Sequence, residues 1–363
     1  MEGYGGAAGD VTVAHRDSRA TVSAGPEVVA TRSERENLLD AHLAPEATRA
    51  LGAGRRARPE EPDPFRTCFE RDRDRILHSA AFRRLAGKTQ VFIFPEDHMR
   101  TRLTHALEVA QVATGIARAT GLNADLTEAI ALGHDCGHGP GGHASEEALD
   151  PFVEGGFDHA LWGAEVSLAA LNLCAETLDG IANHSWARPA PATPEGEVVS
   201  WADRIAYVCH AFEDAVAAGI VDAGDLPRLG RERCGERRGH QLGAFIGAVV
   251  GTARASGVIG MDAAHAEALA VFREFNYRTI YMRGPSQDQA AAVVSMLRAL
   301  VEYYALHPRM IPDGADASSV TGDPEALRAA VGYVAGMTDR FACRSAVALL
   351  DWPESALPSG IDR

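Results

Sequence analysis

From Glu34 onward, apolar positions recur at three- and four-residue spacing more often than they alternate, and this pattern predicts a chain built almost wholly of helices. After the short segment ENLLDAHL, the stretch RDRDRILHSAAFRRL places Ile76, Leu77 and Ala80 on one side of a helix. Between Leu103 and Ala119, the residues Leu103, Ala106, Leu107, Ala110, Ala113 and Ala117 form one face, and Val109, Val112 and Ile116 broaden it into a buried helix. His105 shares the row of Val109, Val112 and Ile116. Further helices are predicted near 125–135, 159–179, 198–217, 261–283, 286–305 and 323–350, the last with Asp323 as its cap and Pro324 in its first turn. The segment TQVFIF, which ends at Pro95, carries a brief strand signal. The expected fold class is all-α, with at most a short β-hairpin.

Residues 1–32 are rich in Gly, Ala, Ser and Val without sustained periodicity, so a disordered or weakly ordered tail is expected there. Glycine- and proline-rich breaks occur at HDCGHGPGGH, RPAPATPEGE and DAGDLPRLGRERCGERRGHQ, the last expected to be a mobile surface loop. None is long enough to force separate domains. The expected organisation is the tail, a catalytic core over 33–305, and a helical C-terminal extension over 306–363 packed on it. The chain shows no internal repeat and no heptad run.

Composition narrows the function classes. With 363 residues, 46% of them hydrophobic, the chain suits a globular protein rather than a disordered one. Its 35 Lys+Arg against 50 Asp+Glu give a formal charge of −15, which argues against extended nucleic-acid binding but leaves room for a small phosphorylated ligand in a local basic pocket. Only one of those cations, Lys88, is a lysine. The 6 cysteines contain no CxxC pair, so reduced buried thiols are expected rather than a thiolate zinc site or a disulfide framework. No stretch approaches a membrane span and the amino end lacks a basic segment followed by an apolar core, so no membrane partner and a cytoplasmic location are expected.

The chemistry gathers between Arg102 and His159, where His105, His134, His138, His143 and His159 occur with Asp135, Glu146 and Asp158. His105 lies on a predicted buried helix, and His134-Asp135 follows the apolar run LTEAIALG, where an unpaired imidazole and carboxylate are costly to bury. A metal ion relieves that cost. Asp203 is a further acidic candidate, because Ile205, Val208, Phe212 and Val216 turn one face of its helix to the core and leave Asp203 near the edge. Two imidazoles and two carboxylates make a mixed N/O set suited to Mn²⁺, Fe²⁺ or Mg²⁺, with Zn²⁺ also possible, and suggest metal-assisted hydrolysis.

The ordered series His105, His134-Asp135 and Asp203 resembles the metal quartet of the HD-domain phosphohydrolases. The flanking motifs DPFRTCFERDRDRILHSAAFRRLAGKTQVF, RTRLTHALEVAQVA, ALGHDCGHGPGGHASE, GGFDH and WADRIAYVCHAFEDA are similar to the deoxyguanosine triphosphate triphosphohydrolase family, from about residue 33 to about 305. The resemblance implies an HD-domain helical core, a homo-oligomer, a divalent metal, and hydrolysis of a deoxynucleoside triphosphate to the deoxynucleoside and tripolyphosphate. It makes His105, His134, Asp135 and Asp203 the metal ligands. It matches His143 and Glu146 to a catalytic His-x-x-Glu pair, His159 to a further active-site histidine and His138 to a phosphate-proximal one. Arg102 and Arg204 fall in the implied substrate pocket, and Gln90 and Tyr207 match positions that touch the sugar or base.

Three departures from the family pattern stand out. Ala160, Leu161, Trp162 and Gly163 follow GGFDH where polar residues are usual, Ala211 follows His210 where an aspartate is common, and Gly141 replaces an aromatic. They motivate an alternative reading, an HD phosphohydrolase acting on another nucleotide or phosphate ester. A third reading is a nucleotide-binding regulator without turnover.

Overall fold

The computed structural model describes residues 7–8, 11–12, 30–312 and 323–360, so most of the expected tail lies outside the described residues. Fifteen α-helices follow one another among the described residues: α1 (Arg32–Asp40), α2 (Cys68–Leu77), α3 (Ala80–Arg84), α4 (Arg102–Thr120), α5 (Ala124–Gly133), α6 (His143–Leu149), α7 (His159–Trp162), α8 (Ala175–Ala182), α9 (Pro194–Ala217), α10 (Arg228–Cys234), α11 (Arg238–Ser256), α12 (Ala263–Asn276), α13 (Gly284–Leu306), α14 (Pro324–Ala335) and α15 (Asp339–Leu350). Strand pairing among those residues is confined to the antiparallel pair β1 (Ala7–Ala8) and β2 (Val11–Thr12) and two isolated bridges, Arg56 with Cys174 and Thr89 with Thr101. The fold is all-α.

Local chemistry explains where several helices begin. Thr67 caps α2 in a reciprocal box with Glu70, Asn123 accepts from the amides of Asp125 and Leu126 ahead of α5, and Asp323 caps α14 as expected. Thr193 and Pro194 start α9 four residues before the predicted point.

Other expectations are corrected. TQVFIF forms no strand: Phe94 has φ 50°, and Phe92 enters one core while Ile93 and Phe94 pack against another. The helix predicted around Ile76 to Ala80 is two helices, because the Ser79 side chain caps α3. The predicted face of α4 is buried at Ala106, Ala110, Ala113 and Ala117 and broadened by Val109, Val112 and Ile116, with Leu107, 47% exposed, as the exception. The segment 159–179 is broken after α7 by a wide turn over Gly163–Ser167 and by Asn172 at φ 52°. A Cβ on Gly137 would stand 1.9 Å from the His159 carbonyl and 2.4 Å from the Gly163 amide, so α7 is pressed against a neighbouring glycine. The segment 261–283 leaves the α-helix at Asn276 for a wide turn over Tyr277–Tyr281. The span 323–350 divides between Ala335 and Asp339.

The expected mobile loop is largely helical. Leu226 and Cys234 are buried at the two sides of α10, which packs on α11 and α12. Helix α11 had no predicted counterpart because Gly239, Gly243, Gly247 and Gly251 depress its intrinsic helix propensity.

Two hydrophobic cores organise these helices. The first contains Phe69 and Ile76 of α2, Val109 and Ile116 of α4, Leu126 and Ile130 of α5, Ile205 and Phe212 of α9, and Phe272 of α12. The second joins Leu149 of α6 and Trp162 of α7 to Val293, Leu297 and Leu300 of α13, Val331 and Val334 of α14, and Ala342 and Ala346 of α15. No helix among the described residues is long and apolar enough to cross a membrane.

Candidate active site

Three helices of the first core converge on one polar point. Arg102 and His105 lie one turn apart at the start of α4, His134 ends α5 with Asp135 in the following turn, and Asp203 and Arg204 are neighbours on α9 with Tyr207 one turn further on. His105 Nε2 is 3.0 Å from Asp203 Oδ1. His134 Nδ1 donates to the Ala131 carbonyl at 2.6 Å, which leaves Nε2 as a lone pair. That Nε2 faces Asp135 Oδ2 at 3.5 Å and Asp203 Oδ1 at 3.7 Å and has no hydrogen-bond partner.

An imidazole lone pair facing two carboxylate oxygens at the buried end of a cavity is repelled by them unless a cation lies among them. The residues therefore fit a divalent metal: His105, His134 and Asp203 form one group of possible ligands, and His134 and Asp135 belong to another with His184. Burial would push the carboxyl of Asp135 up, yet the Arg102 guanidinium and nearby imidazoles hold it well below the ordinary range. Burial likewise opposes ionisation of Asp203, but the His105 hydrogen bond holds it low.

A second cluster stands beside the first. Glu146 on α6 is shared between His143, whose Nδ1 lies 3.4 Å from Oε2, and His159, whose Nδ1 bonds Oε1. His184 Nδ1 donates to the Ile181 carbonyl at 2.8 Å, so its Nε2 must accept from His159 Nε2 at 3.3 Å. His159 thus donates from both nitrogens and is an imidazolium. Burial opposes that charge and the Glu146 contact outweighs it, raising the His159 pKa. The converse holds for Glu146, where hydrogen bonds from His143 and His159 overcome burial and keep the carboxyl well below its usual range. His138 stacks on His159 with ring centroids 3.7 Å apart, and burial, Arg102 and the cationic His159 hold it neutral. Burial also pushes His184 down to about 4.

A cavity of about 190 Å³ connects the two clusters. Its wall includes Gln90, Arg102, His105, Asp135, His138, His143, His159, Asp203, Arg204 and Tyr207, all singled out in the sequence. His134 and Glu146 stand behind this wall, touching Asp203 and His159 respectively. Arg102 is 2% exposed and gives NH1 to Asp135 at 2.7 Å, while its Nε and NH2 are buried without partners. Such orphan donors call for an anionic ligand. The Arg204 guanidinium lies 3.8 Å over the Trp186 ring, and Tyr207 stacks on Tyr281. Gln90 is buried with Oε1 unpartnered.

Sequence reasoning missed His184, Ser185 and Arg273, which also line the cavity. His184 follows the apolar helix α8 as His134 follows α5, a signal that could have found it. Arg273 had none beyond being a cation on an amphipathic helix. The family departures lie elsewhere: Ala160 and Ala211 are buried, Trp162 packs on Phe157 in the second core, and Gly141 turns toward Val293 of α13. None of the four lines the cavity.

Residues 102–208 match the HD domain family and residues 259–347 the phosphohydrolase-associated domain. The chain is 41% identical over 327 residues to a deoxyguanosinetriphosphate triphosphohydrolase-like protein of Caldanaerobacter subterraneus subsp. tengcongensis, covering 87% of this chain and 93% of that one. It is 39% identical over 323 residues to a protein of the same description from Desulfatibacillum aliphaticivorans, covering 83% and 92%. A third, from Clostridium perfringens, is 38% identical over 301 residues, covering 79% and 87%. A solved structure of a hypothetical protein from Aquifex aeolicus is similar at a TM-score of 0.48 and 18% identity, covering 78% of this chain and 69% of that one.

Proposed function

The chain belongs to the deoxyguanosinetriphosphate triphosphohydrolase-like family of HD-domain phosphohydrolases, and from that membership we propose that it hydrolyses deoxynucleoside triphosphates, dGTP or another, to deoxynucleoside and tripolyphosphate. The observation that supports this most directly is a single cavity joining a mixed imidazole and carboxylate set to the unpaired donors of Arg102.

In this reading His105, His134, Asp135 and Asp203 hold the divalent ion, Mn²⁺, Mg²⁺ or Fe²⁺, with Zn²⁺ also compatible. Such an ion, when bound, acidifies water to a usable nucleophile and draws charge from a phosphoryl oxygen. Arg102 and Arg204 hold triphosphate oxygens, with Arg273 adding positive charge at the same wall. His143, the more exposed of the clustered histidines, exchanges a proton with the attacking water or the leaving 5′-oxygen, and Glu146 orients its ring. His159 stays cationic against Glu146, and neutral His138 stands nearer the phosphates. Gln90 and Tyr207 contact the sugar or base. The working enzyme is a cytoplasmic homo-oligomer in this proposal.

Incubation of the purified protein with each deoxynucleoside triphosphate and Mn²⁺ or Mg²⁺, followed by product separation, tests the reading. Tripolyphosphate with free deoxynucleoside supports it. Release of phosphate or pyrophosphate favours an HD phosphohydrolase of another specificity, and metal-dependent binding without any product favours the regulator.

A further inference from the structure

We infer that Lys88 and Asp339 are positioning residues through which the helices after residue 306 hold the glycine turn in front of His143. The inference rests on the hydrolase reading for its kinetic consequence, but its geometry does not.

The turn Gly139–Gly142 sets the start of α6 and therefore the place of His143 and Glu146. Gly141 and Gly142 have φ of +74° and +64°, a conformation available to glycine at little cost. Buried Ser145 ties the two ends of the turn, accepting the Gly139 amide at 3.0 Å and donating to the Gly142 carbonyl at 2.6 Å, but it does not reach the Gly141 amide between them. The hold on Gly141 comes from across the fold. Asp339, in the first turn of α15, accepts the Gly141 amide on Oδ1 at 2.8 Å. Its Oδ2 accepts the Thr89 amide at 2.9 Å and the Thr89 hydroxyl at 2.6 Å. One carboxylate thereby fixes both the glycine turn and the segment that carries Gln90. It is 6% exposed and separated from Thr89 by 250 residues.

Lys88 makes a parallel tie. Its Nζ donates to the carbonyl of His138, directly before the turn, and to that of Ala335 at the end of α14 at 2.9 Å. This is the single lysine in a chain whose other 34 cations are arginine, and it occupies a site only 3% exposed. A compact ammonium can donate to two facing carbonyls at once, whereas a planar guanidinium presents its donors in a fixed fork that does not match that pair. A cavity of about 260 Å³ adjoins the site and is lined by both Lys88 and Asp339, so the demand on shape comes from the two carbonyls rather than from closure. The choice of lysine at this position therefore has a geometric reason that composition bias does not supply.

Neither residue lines the active-site cavity, so both act through the turn. The test is hydrogen exchange by mass spectrometry together with steady-state kinetics and bound-metal analysis on full-length Asp339→Ala, Asp339→Asn, Lys88→Arg and Thr89→Val. Expected are faster exchange in peptides spanning 138–146 and 86–92, and kcat lower by ~10- to 100-fold in Asp339→Ala, the scale of an ångström-sized misplacement. Bound metal should stay within about threefold of wild type, because the side chains of the four proposed metal ligands make no contact with Lys88 or Asp339, whereas KM is free to rise with movement of Gln90. Asp339→Asn, which keeps one acceptor oxygen, should fall between wild type and Asp339→Ala. Lys88→Arg should reproduce the loss although it keeps the charge.

Wild-type exchange over 138–146 in a folded Asp339→Ala or Lys88→Arg protein overturns the inference, as does a loss of bound metal equal to the loss of kcat. If Asp339→Ala does not fold, the near-isosteric Thr89→Val decides: unchanged exchange over 86–92 overturns it. A wild type that cleaves no deoxynucleotide contradicts the proposed function, while the exchange pattern still reports on the clamp.

Discussion

The two sides of the cavity are mounted differently. The residues proposed to bind metal stand on α4, α5 and α9, whose apolar faces are part of the first core, with His105 and His134 themselves 1% and 0% exposed. His143 and Glu146 stand on a helix of seven residues, and its buried Leu149 belongs to the second core with α13, α14 and α15. Long packed helices fix the first side. The second side is a short helix behind a glycine turn, and its geometry depends on chain more than a hundred residues away. The contrast suits the proposed chemistry, in which a metal needs a fixed donor set whereas a proton carrier must reach different atoms along the reaction.

The largest expected effect separates the two sides outright. His134→Ala or Asp135→Ala should abolish both bound metal, measured by elemental analysis, and turnover. His143→Ala should retain the metal and lose kcat by ~10²- to 10⁴-fold, the usual scale of proton-transfer assistance. Metal loss in His143→Ala would show that the sides are not independent.

Core truncation should sharpen the same division. Leu297→Ala in the second core and Ile116→Ala in the first each remove a fully buried side chain and should each cost about 2–5 kcal/mol, read from urea unfolding. At temperatures where both stay folded, Leu297→Ala should lower kcat with metal affinity unchanged, and Ile116→Ala should weaken metal binding. Equal effects on affinity would remove the distinction.

The smallest effect is in pH dependence. The Glu146 carboxyl is lowered from 4.5, so its stabilisation is present above that value and is lost as the pH falls. His159 is raised from 6.5, so its stabilisation is present below that value and is lost as the pH rises through the higher folded pKa. The difference in melting temperature between wild type and Glu146→Gln, measured with EDTA, should be greatest between these limits and shrink on either side. A difference that grows toward acid pH would contradict the ion pair.

Much of the site was legible because its residues violate local expectation. A histidine in the row of Val109, Val112 and Ile116, and a His-Asp pair after an apolar run, are costly without a partner, and Asp203 sits where an apolar helix face ends. His184 was hidden because one histidine after one helix has no partner nearby in the chain. Asp339 was hidden further, since a continuous helix over 323–350 would make it an ordinary mid-helix aspartate. Only the break after Ala335 turns it toward Gly141 and Thr89.

What the sequence determined by itself is therefore the all-helical character, most helix positions, and the identity of the imidazoles and carboxylates around the cavity. Those properties follow from spacing within a turn or two of helix and from the cost of burying unpaired polar groups. Only the tertiary structure decided the breaks at Ser79, after Trp162 and after Ala335, the folding of 226–238 onto α11 and α12, and the support of the glycine turn from α14 and α15. The physical reason is range. A hydrogen bond from Gly141 to Asp339 spans 198 residues, and no periodicity in the chain encodes it.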